Sequence, residues 1–226
     1  MSPSLRFDGQ HVAVVGGSSG IGRGIAQAAE AAGARVTVLG RHTGIPCDLS
    51  DDASVVQAFQ RTGPIDHLVL TPGARVGSPR LQQLTDAELA LAFEVKLFGS
   101  LRAIRAALPV LAPTASITLT SGQLARKPSP GGLLKGSLNA AVEAAGRQLA
   151  KELAPRRVNV VSPGAIDTPL WGADDAARSA TLARIGGTLP VGRAGRVDEL
   201  AQAYLLAMST GFMTGSVIDV DGGGLL

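Results

Sequence analysis

His11-Val12-Ala13-Val14-Val15 runs directly into Gly16-Gly17-Ser18-Ser19-Gly20-Ile21-Gly22, and this junction decides the fold. The apolar run reads as a buried strand, and a helical pattern follows from about Ser19 to Ala32, stopped by Gly33. Glycine reaches the φ values of a tight strand-to-helix turn cheaply, and its missing Cβ lets backbone approach a ligand. The free N–H groups and positive dipole end of the helix then face whatever sits there, which is how a pyrophosphate is held. Gly16, Ser18, Ser19, Gly20, Ile21 and Gly22 are therefore the first candidate cofactor-binding residues.

The same β–α alternation continues outward to the C-terminus. Strands are expected at Ala34–Leu39, Ile45–Cys47, His67–Leu70, Ala115–Thr120, Val158–Val161 and Val217–Val220. Helices are expected from Ser50 to Gly63-Pro64, from Thr85 to Leu111 with a break near Pro109, over Leu133–Leu153 and over Asp198–Met208. Strands apolar on both faces and separated by helices imply a parallel sheet covered on both sides. Right-handed crossovers make it doubly wound, an α/β fold of seven strands in one domain spanning residues 1–226. Ligands of such a sheet lie beyond the carboxyl ends of its strands, where all the loops discussed below converge.

Composition narrows the function classes. Hydrophobic residues make up 45% of the 226 and charged residues 17%, enough for a large core. The formal charge of +3 is spread along the chain without a basic stripe, so nucleic acid is not an expected partner. The lone cysteine, Cys47, excludes an intrachain disulfide and a multi-cysteine zinc site and reads as a reduced core residue. His11, His42 and His67 are scattered without ligand spacing, so no metal is expected. Arg6, Asp8 and Gln10 interrupt the start, which does not read as a signal peptide, and no stretch approaches the roughly 20 apolar residues that span a bilayer. A soluble, cytoplasmic protein without membrane partners is expected.

The spacing Gly16-x-x-x-Gly20-x-Gly22 resembles the phosphate loop of the short-chain dehydrogenase/reductase family, a Rossmann-type fold, with Val15 in place of the usual threonine. Asp48-Leu49 resembles the segment whose acidic residue touches the adenine, and Asp66-His67-Leu68-Val69 the fourth strand. Ser162-Pro163-Gly164, with Ile166 and Thr168, resembles the segment that holds the nicotinamide carboxamide. Gly192-Arg193, Thr214-Gly215 and Val220-Asp221-Gly222-Gly223 resemble the tail of acyl-carrier-protein reductase-like members. The resemblance implies a nicotinamide cofactor, a small-molecule substrate and a homo-oligomer, usually a tetramer built on the helices at Lys96–Leu108 and Leu133–Leu153 and the last strand.

Cofactor choice turns on the residue meeting the ribose 2′ position. Gly40-Arg41-His42 offers no carboxylate, and Arg41 can form a charge-assisted fork to a 2′-phosphate, so NADP(H) is favoured over NAD(H). A solvated loop arginine is the other reading of Arg41. The stretch from Leu39 to Asp48 is too short for the helix that the family usually places there.

Family chemistry, as the resemblance implies it, uses a tyrosine acid/base, a lysine four residues later, a serine and a supporting asparagine. Lys135 is matched to the lysine and Ser121 to the serine, but Gly131 stands four residues before Lys135 and the only tyrosine, Tyr204, lies in a late helix. Lys96 falls at the asparagine, and Leu70-Thr71-Pro72-Gly73 replaces Asn-Asn-Ala-Gly, with Gly73 retained. Losing the tyrosine removes a proton donor worth about 10²–10⁴ in rate. Arg126 and Asp167 are placed to substitute, the carboxylate steadying a cationic substrate such as an iminium; otherwise Arg126 is solvated and Asp167 caps a turn. Lys96 is either a replacement donor near Ser121 or a snorkelling helix lysine. Gln123 and Trp171 are expected to line the substrate pocket, and residues 171–188 to form a lid. The leading reading is an NADP(H)-dependent oxidoreductase acting on a ketone or an imine/iminium with an atypical acid/base set. A nucleotide-binding pseudoenzyme and a non-redox cyclase on the same scaffold are the alternatives.

Overall fold

The computed structural model describes residues 5–73, 76–172 and 174–226. Seven strands, β1 (His11–Val15), β2 (Arg35–Gly40), β3 (Ile45–Pro46), β4 (Ile65–Leu70), β5 (Leu111–Thr120), β6 (Arg157–Pro163) and β7 (Val217–Val220), form one sheet in the order 3-2-1-4-5-6-7. Every ladder is parallel. The order reverses between β1 and β4, which opens the ligand crevice of a doubly wound sheet above their carboxyl ends.

The helices are α1 (Gly20–Ala31), α2 (Asp52–Gln60), α3 (Asp86–Phe93), α4 (Gly99–Ala107), α5 (Leu133–Glu152), α6 (Asp175–Gly186) and α7 (Val197–Ser209). Side chains of a strand alternate between faces, and β1 shows the consequence. Val12 and Val14 pack with Ile25 of α1 and with Leu200 and Tyr204 of α7. Ala13 and Val15 face the other layer, with Phe59 of α2, Ile104 of α4 and Val142 of α5. Both faces are buried, so neither layer could be removed without exposing core.

Helix starts follow local chemistry. Asp51 accepts from the Ala53 N–H to cap α2, and Thr85 and Glu88 form a capping box at α3. The long helix expected from Thr85 is in fact divided. A single π turn over Glu94–Phe98 joins α3 to α4, and α4 ends at Ala107, ahead of Pro109. Leu111, expected at the end of that helix, instead opens β5 and pairs with Ile65. Between β2 and β3 only the bend 41–44 intervenes, so the adenine side carries no extra helix.

Candidate active site

The cofactor end is built chiefly from backbone. The Gly16 N–H donates to the Leu39 carbonyl at 2.8 Å, and Thr71 binds the Val15 carbonyl through both its N–H and its hydroxyl, each at 3.0 Å. A Cβ at Gly22 would lie 2.3 Å from the Gly16 carbonyl oxygen and 2.6 Å from Thr71 Oγ1, so no other residue fits. Gly16, at φ +84°, is in the left-handed region that favours glycine. Ser19 caps α1 in extended geometry without a side-chain bond to the helix, and the first turn holds no acidic residue. The N-terminal N–H groups of α1 are thus left for an anion.

The other cofactor candidates surround this loop. Ser18 lies beside Gly40, and Thr168 is buried opposite Gly20. Arg41 is exposed on the bend after β2, with no ion pair among the described residues. Asp48 accepts from the N–H and hydroxyl of Ser50, which hold its carboxyl below the usual range, helped by the charge of Arg41. Leu49 is buried against Gly99, and Gly73 has open space where a Cβ would be. Pro163 ends β6. The Gly164 N–H donates to the Val220 carbonyl, and Ile166 bridges Gly195. Glycines that no side chain could replace, an uncapped helix start and a buried threonine opposite it together fit a dinucleotide.

The reacting end differs from the sequence expectation. Lys96, carried on the π turn, does not snorkel. Its Nζ donates to the Ser121 carbonyl at 2.8 Å and to Asn139 Oδ1 at 2.6 Å. Desolvation, and then the charge of Lys135, push its pKa down to about 8. The Ser121 hydroxyl donates away from the lysines, to Glu143 Oε1 at 3.1 Å, so only its main chain meets Lys96. The residue that abuts Asn139 is Gly122, where a Cβ would stand 2.8 Å from Asn139 Nδ2. Lys135 lies one turn before Asn139 on α5. Its Nζ donates to Ser78 Oγ at 3.0 Å, and desolvation lowers its pKa. Gly131 precedes the helix at φ +77°, and a Cβ there would lie 2.3 Å from the Ser78 carbonyl, so that position holds no side chain at all.

The two expected substitutes are engaged elsewhere. Arg126 forks onto Asp219 of β7 and pairs with buried Glu143, its Nε 3.3 Å from Oε2. Asp167 pairs with Arg178 of α6 at 3.0 Å. Neither Arg126 nor Asp167 meets the lysines, and the two do not meet each other. The expected lid contains α6, whose Arg178 forms that ion pair with Asp167 of the loop after β6; residue 173 lies outside the described residues. Trp171 Nε1 donates to the Ile166 carbonyl at 2.9 Å, and Gln123 packs its buried carbonyl oxygen toward Gly224 without a partner among the described residues. Tyr204 is core: its hydroxyl lies 2.7 Å from Thr120 Oγ1, and burial drives its pKa up.

Sequence reasoning missed Asn139, Gly122, Glu143 and Ser78. A signal for two of them existed. Asn139 and Glu143 stand four residues apart among Leu138, Ala140, Ala141 and Val142, polar groups on a stripe that otherwise reads as core.

Residues 15–224 match the family profile described as Enoyl-(Acyl carrier protein) reductase. The chain is 30% identical to the short-chain dehydrogenase/reductase ATR9 of Stachybotrys chlorohalonatus, covering 99% of each. It is 31% identical to carbonyl reductase family member 4 of Danio rerio, over 93% of this chain and 95% of that one. A crystal structure of a small-chain dehydrogenase in complex with NADPH superposes with a TM-score of 0.91 at 40% identity, covering 96% of this chain and 99% of the other. The protein belongs to the short-chain dehydrogenase/reductase family and is an oxidoreductase of that kind.

Proposed function

We propose that the chain is an NADP(H)-dependent reductase of a carbonyl compound in which Lys135 takes the place of the family's tyrosine as proton donor. The observation carrying this is the Lys96–Asn139 hydrogen bond. The family pattern has a lysine four residues after the tyrosine and an asparagine on the preceding helix. Here the amide is on α5 and the lysine on the π turn, as though the two had changed places. If Asn139 holds the lysine's position, then Lys135, four residues earlier, holds the tyrosine's. Ser121 and Gly131 drop out of the assignment, and Gly122 leaves no hydroxyl at the serine's position.

A bound nicotinamide supplies the hydride. This chain's residues do the rest. Lys135 spends one of its three N–H donors on Ser78 and keeps the others for an oxygen that gains negative charge. Desolvation lowers the Lys135 pKa and so favours release of its proton, and Lys96 adds a second positive charge to the site. Two ammonium groups suit a carbonyl oxygen becoming an alkoxide better than a cationic iminium, and Asp167 already has Arg178 as its partner. The exposed Arg41 guanidinium and the absence of a carboxylate in residues 40–44 favour NADP(H), as does the NADPH bound to the structural relative.

Fluorescence titration with NADPH and NADH tests the cofactor half. Arg41→Ala is expected to weaken NADPH about tenfold, roughly 1.4 kcal/mol, and to leave NADH unchanged. Equal weakening of both would remove Arg41 from the 2′-phosphate. Lys135→Met should leave NADPH binding intact and lower turnover about 10²-fold or more; undiminished turnover would end the assignment of Lys135.

A further inference from the structure

Lys135 and Asn139 lie one turn apart on one face of α5, the spacing at which side chains are neighbours. Lys96 occupies Asn139 Oδ1, which settles the orientation of the amide and turns its Nδ2, with two N–H donors, toward Gly122. Among the described residues Nδ2 makes no hydrogen bond to protein. Lys135 Nζ, likewise, has only the Ser78 hydroxyl. The patch therefore offers donors without acceptors.

Among the described residues, no carboxylate pairs with its charge either. Glu143 is held by Arg126 and Ser121, Asp219 by Arg126, Asp167 by Arg178 and Glu94 by Arg102. These carboxylates are taken by arginines, whereas both lysines have neutral partners. Two partly desolvated ammonium groups beside two unused amide N–H donors make a site for a planar anion, since a charge-assisted hydrogen bond is about twice as strong as a neutral one.

We propose that Lys135 and Asn139 bind a carboxylate adjacent to the reacting carbonyl, so that the substrate is of the 2-oxo acid class. This rests on the carbonyl-reductase reading. Hydride adds to the carbonyl carbon, and the π pair moves to oxygen and takes a proton from Lys135 Nζ. The nicotinamide is oxidised, the 2-oxo acid becomes a 2-hydroxy acid, and Lys135 recovers its proton from water. Lys96 is a positioning residue: it holds the amide with nitrogen outward and touches no substrate.

Oxalate, a planar dianion without a reducible carbonyl, and oxamide, its neutral isostere, are the probes. Calorimetric titration of the full chain, with and without NADP⁺, should show saturable oxalate binding and oxamide binding at least tenfold weaker. Lys135→Met and Asn139→Asp should each weaken oxalate at least tenfold. The second keeps a partner for Lys96 while replacing the donor with a negative charge, so a folding failure of one variant leaves the other informative. Lys151→Met, on the exposed far end of α5, should change nothing. Oxalate binding no tighter than oxamide, or undiminished in both variants, overturns the carboxylate site. Loss of NADPH binding with oxalate binding retained would remove the reductase reading and leave the site standing; the reverse outcome would remove the site alone.

Discussion

The two ends of the crevice are made of different material. At the phosphate end the functional groups are backbone N–H groups of a loop and a helix start, and side chains matter mainly by being absent, as at Gly16 and Gly22. At the reacting end they are side chains from three elements, Lys96 from the π turn, Ser78 from the loop after β4, and Lys135 and Asn139 from α5. A backbone site constrains the chain to one residue type at a few positions. A side-chain site constrains the sum: an amine and an amide that face each other do the same electrostatic work from either helix. The first kind resists change residue by residue, and the second can be rearranged while its contacts persist.

That difference is broken most severely at Gly22. Gly22→Ala would drive a methyl group to within 2.3 Å of the carbonyl oxygen of Gly16, a residue whose N–H is bonded to Leu39 of β2. NADPH affinity should fall about 100-fold, roughly 3 kcal/mol, while oxalate binding at the other end persists. A titration in which Gly22→Ala binds NADPH like the parent would show that the loop does not cradle the pyrophosphate.

Next in size is the support beneath the reacting end. Glu143 is 6% exposed, and Arg126 supplies its positive partner, leaving only the Ser121 hydroxyl if removed. Arg126→Ala should cost about 2–3 kcal/mol, below the full range for a broken buried pair because Arg126 itself is partly solvated. Adding Glu143→Gln should recover most of the loss, since the uncompensated charge is gone. Urea midpoints of the two variants test this, and an equal loss in both would place the cost in packing rather than charge.

Lys96 gives a smaller effect with a definite sign. Its pKa is lowered on folding to about 8, against about 10.4 in the unfolded chain. Between those values the unfolded chain binds the extra proton, so stability rises with pH across that window. Below it both states are charged, and the folded state bears the desolvation cost. The gain should be about 1–3 kcal/mol in low salt, discounted for partial solvent access. Thermal scans from pH 7.5 to 10 should show this slope in the parent and not in Lys96→Met. An identical slope in both would assign it to Lys135, the cation that faces Lys96, or to another base.

How much could be read beforehand follows the same division. The seven strands, their parallel pairing and the glycine loop were legible because burial on both faces and the backbone demands of Gly16–Gly22 leave local signatures. Tyr204 was legible only as a residue of a late helix; its burial came from the structure. The lysine–amide pair was not, because Lys96 and Asn139 are far apart in sequence and only the packing of α5 against the π turn joins them. On the proposed assignment, the match of Lys135 to the family lysine and of Gly131 to the tyrosine's position lies one turn away along α5. A helix repeats its face every three to four residues, so a one-turn shift preserves every burial expectation and is invisible to periodicity. The ion pairs of Arg126 and Asp167 were hidden for another reason: a sequence places charges on loops, but it does not reveal that Asp219 and Arg178 will pair with them.

The smallest expected effect is at Asp167, and it tests that last point directly. Its carboxylate is 52% exposed and shares Arg178 with Asp175, which lies 2.8 Å from the guanidinium. Arg178 thus keeps an ionic partner when Asp167 is neutralised, and solvent screens what is lost. Asp167→Asn should shift stability by no more than about 0.5 kcal/mol and leave turnover within about twofold and NADPH affinity unchanged. Abolished turnover with intact cofactor binding would mean that Asp167 leaves Arg178 and meets the substrate. The negative charge would then belong to the protein, the case for an anionic substrate would weaken, and a cationic one would return.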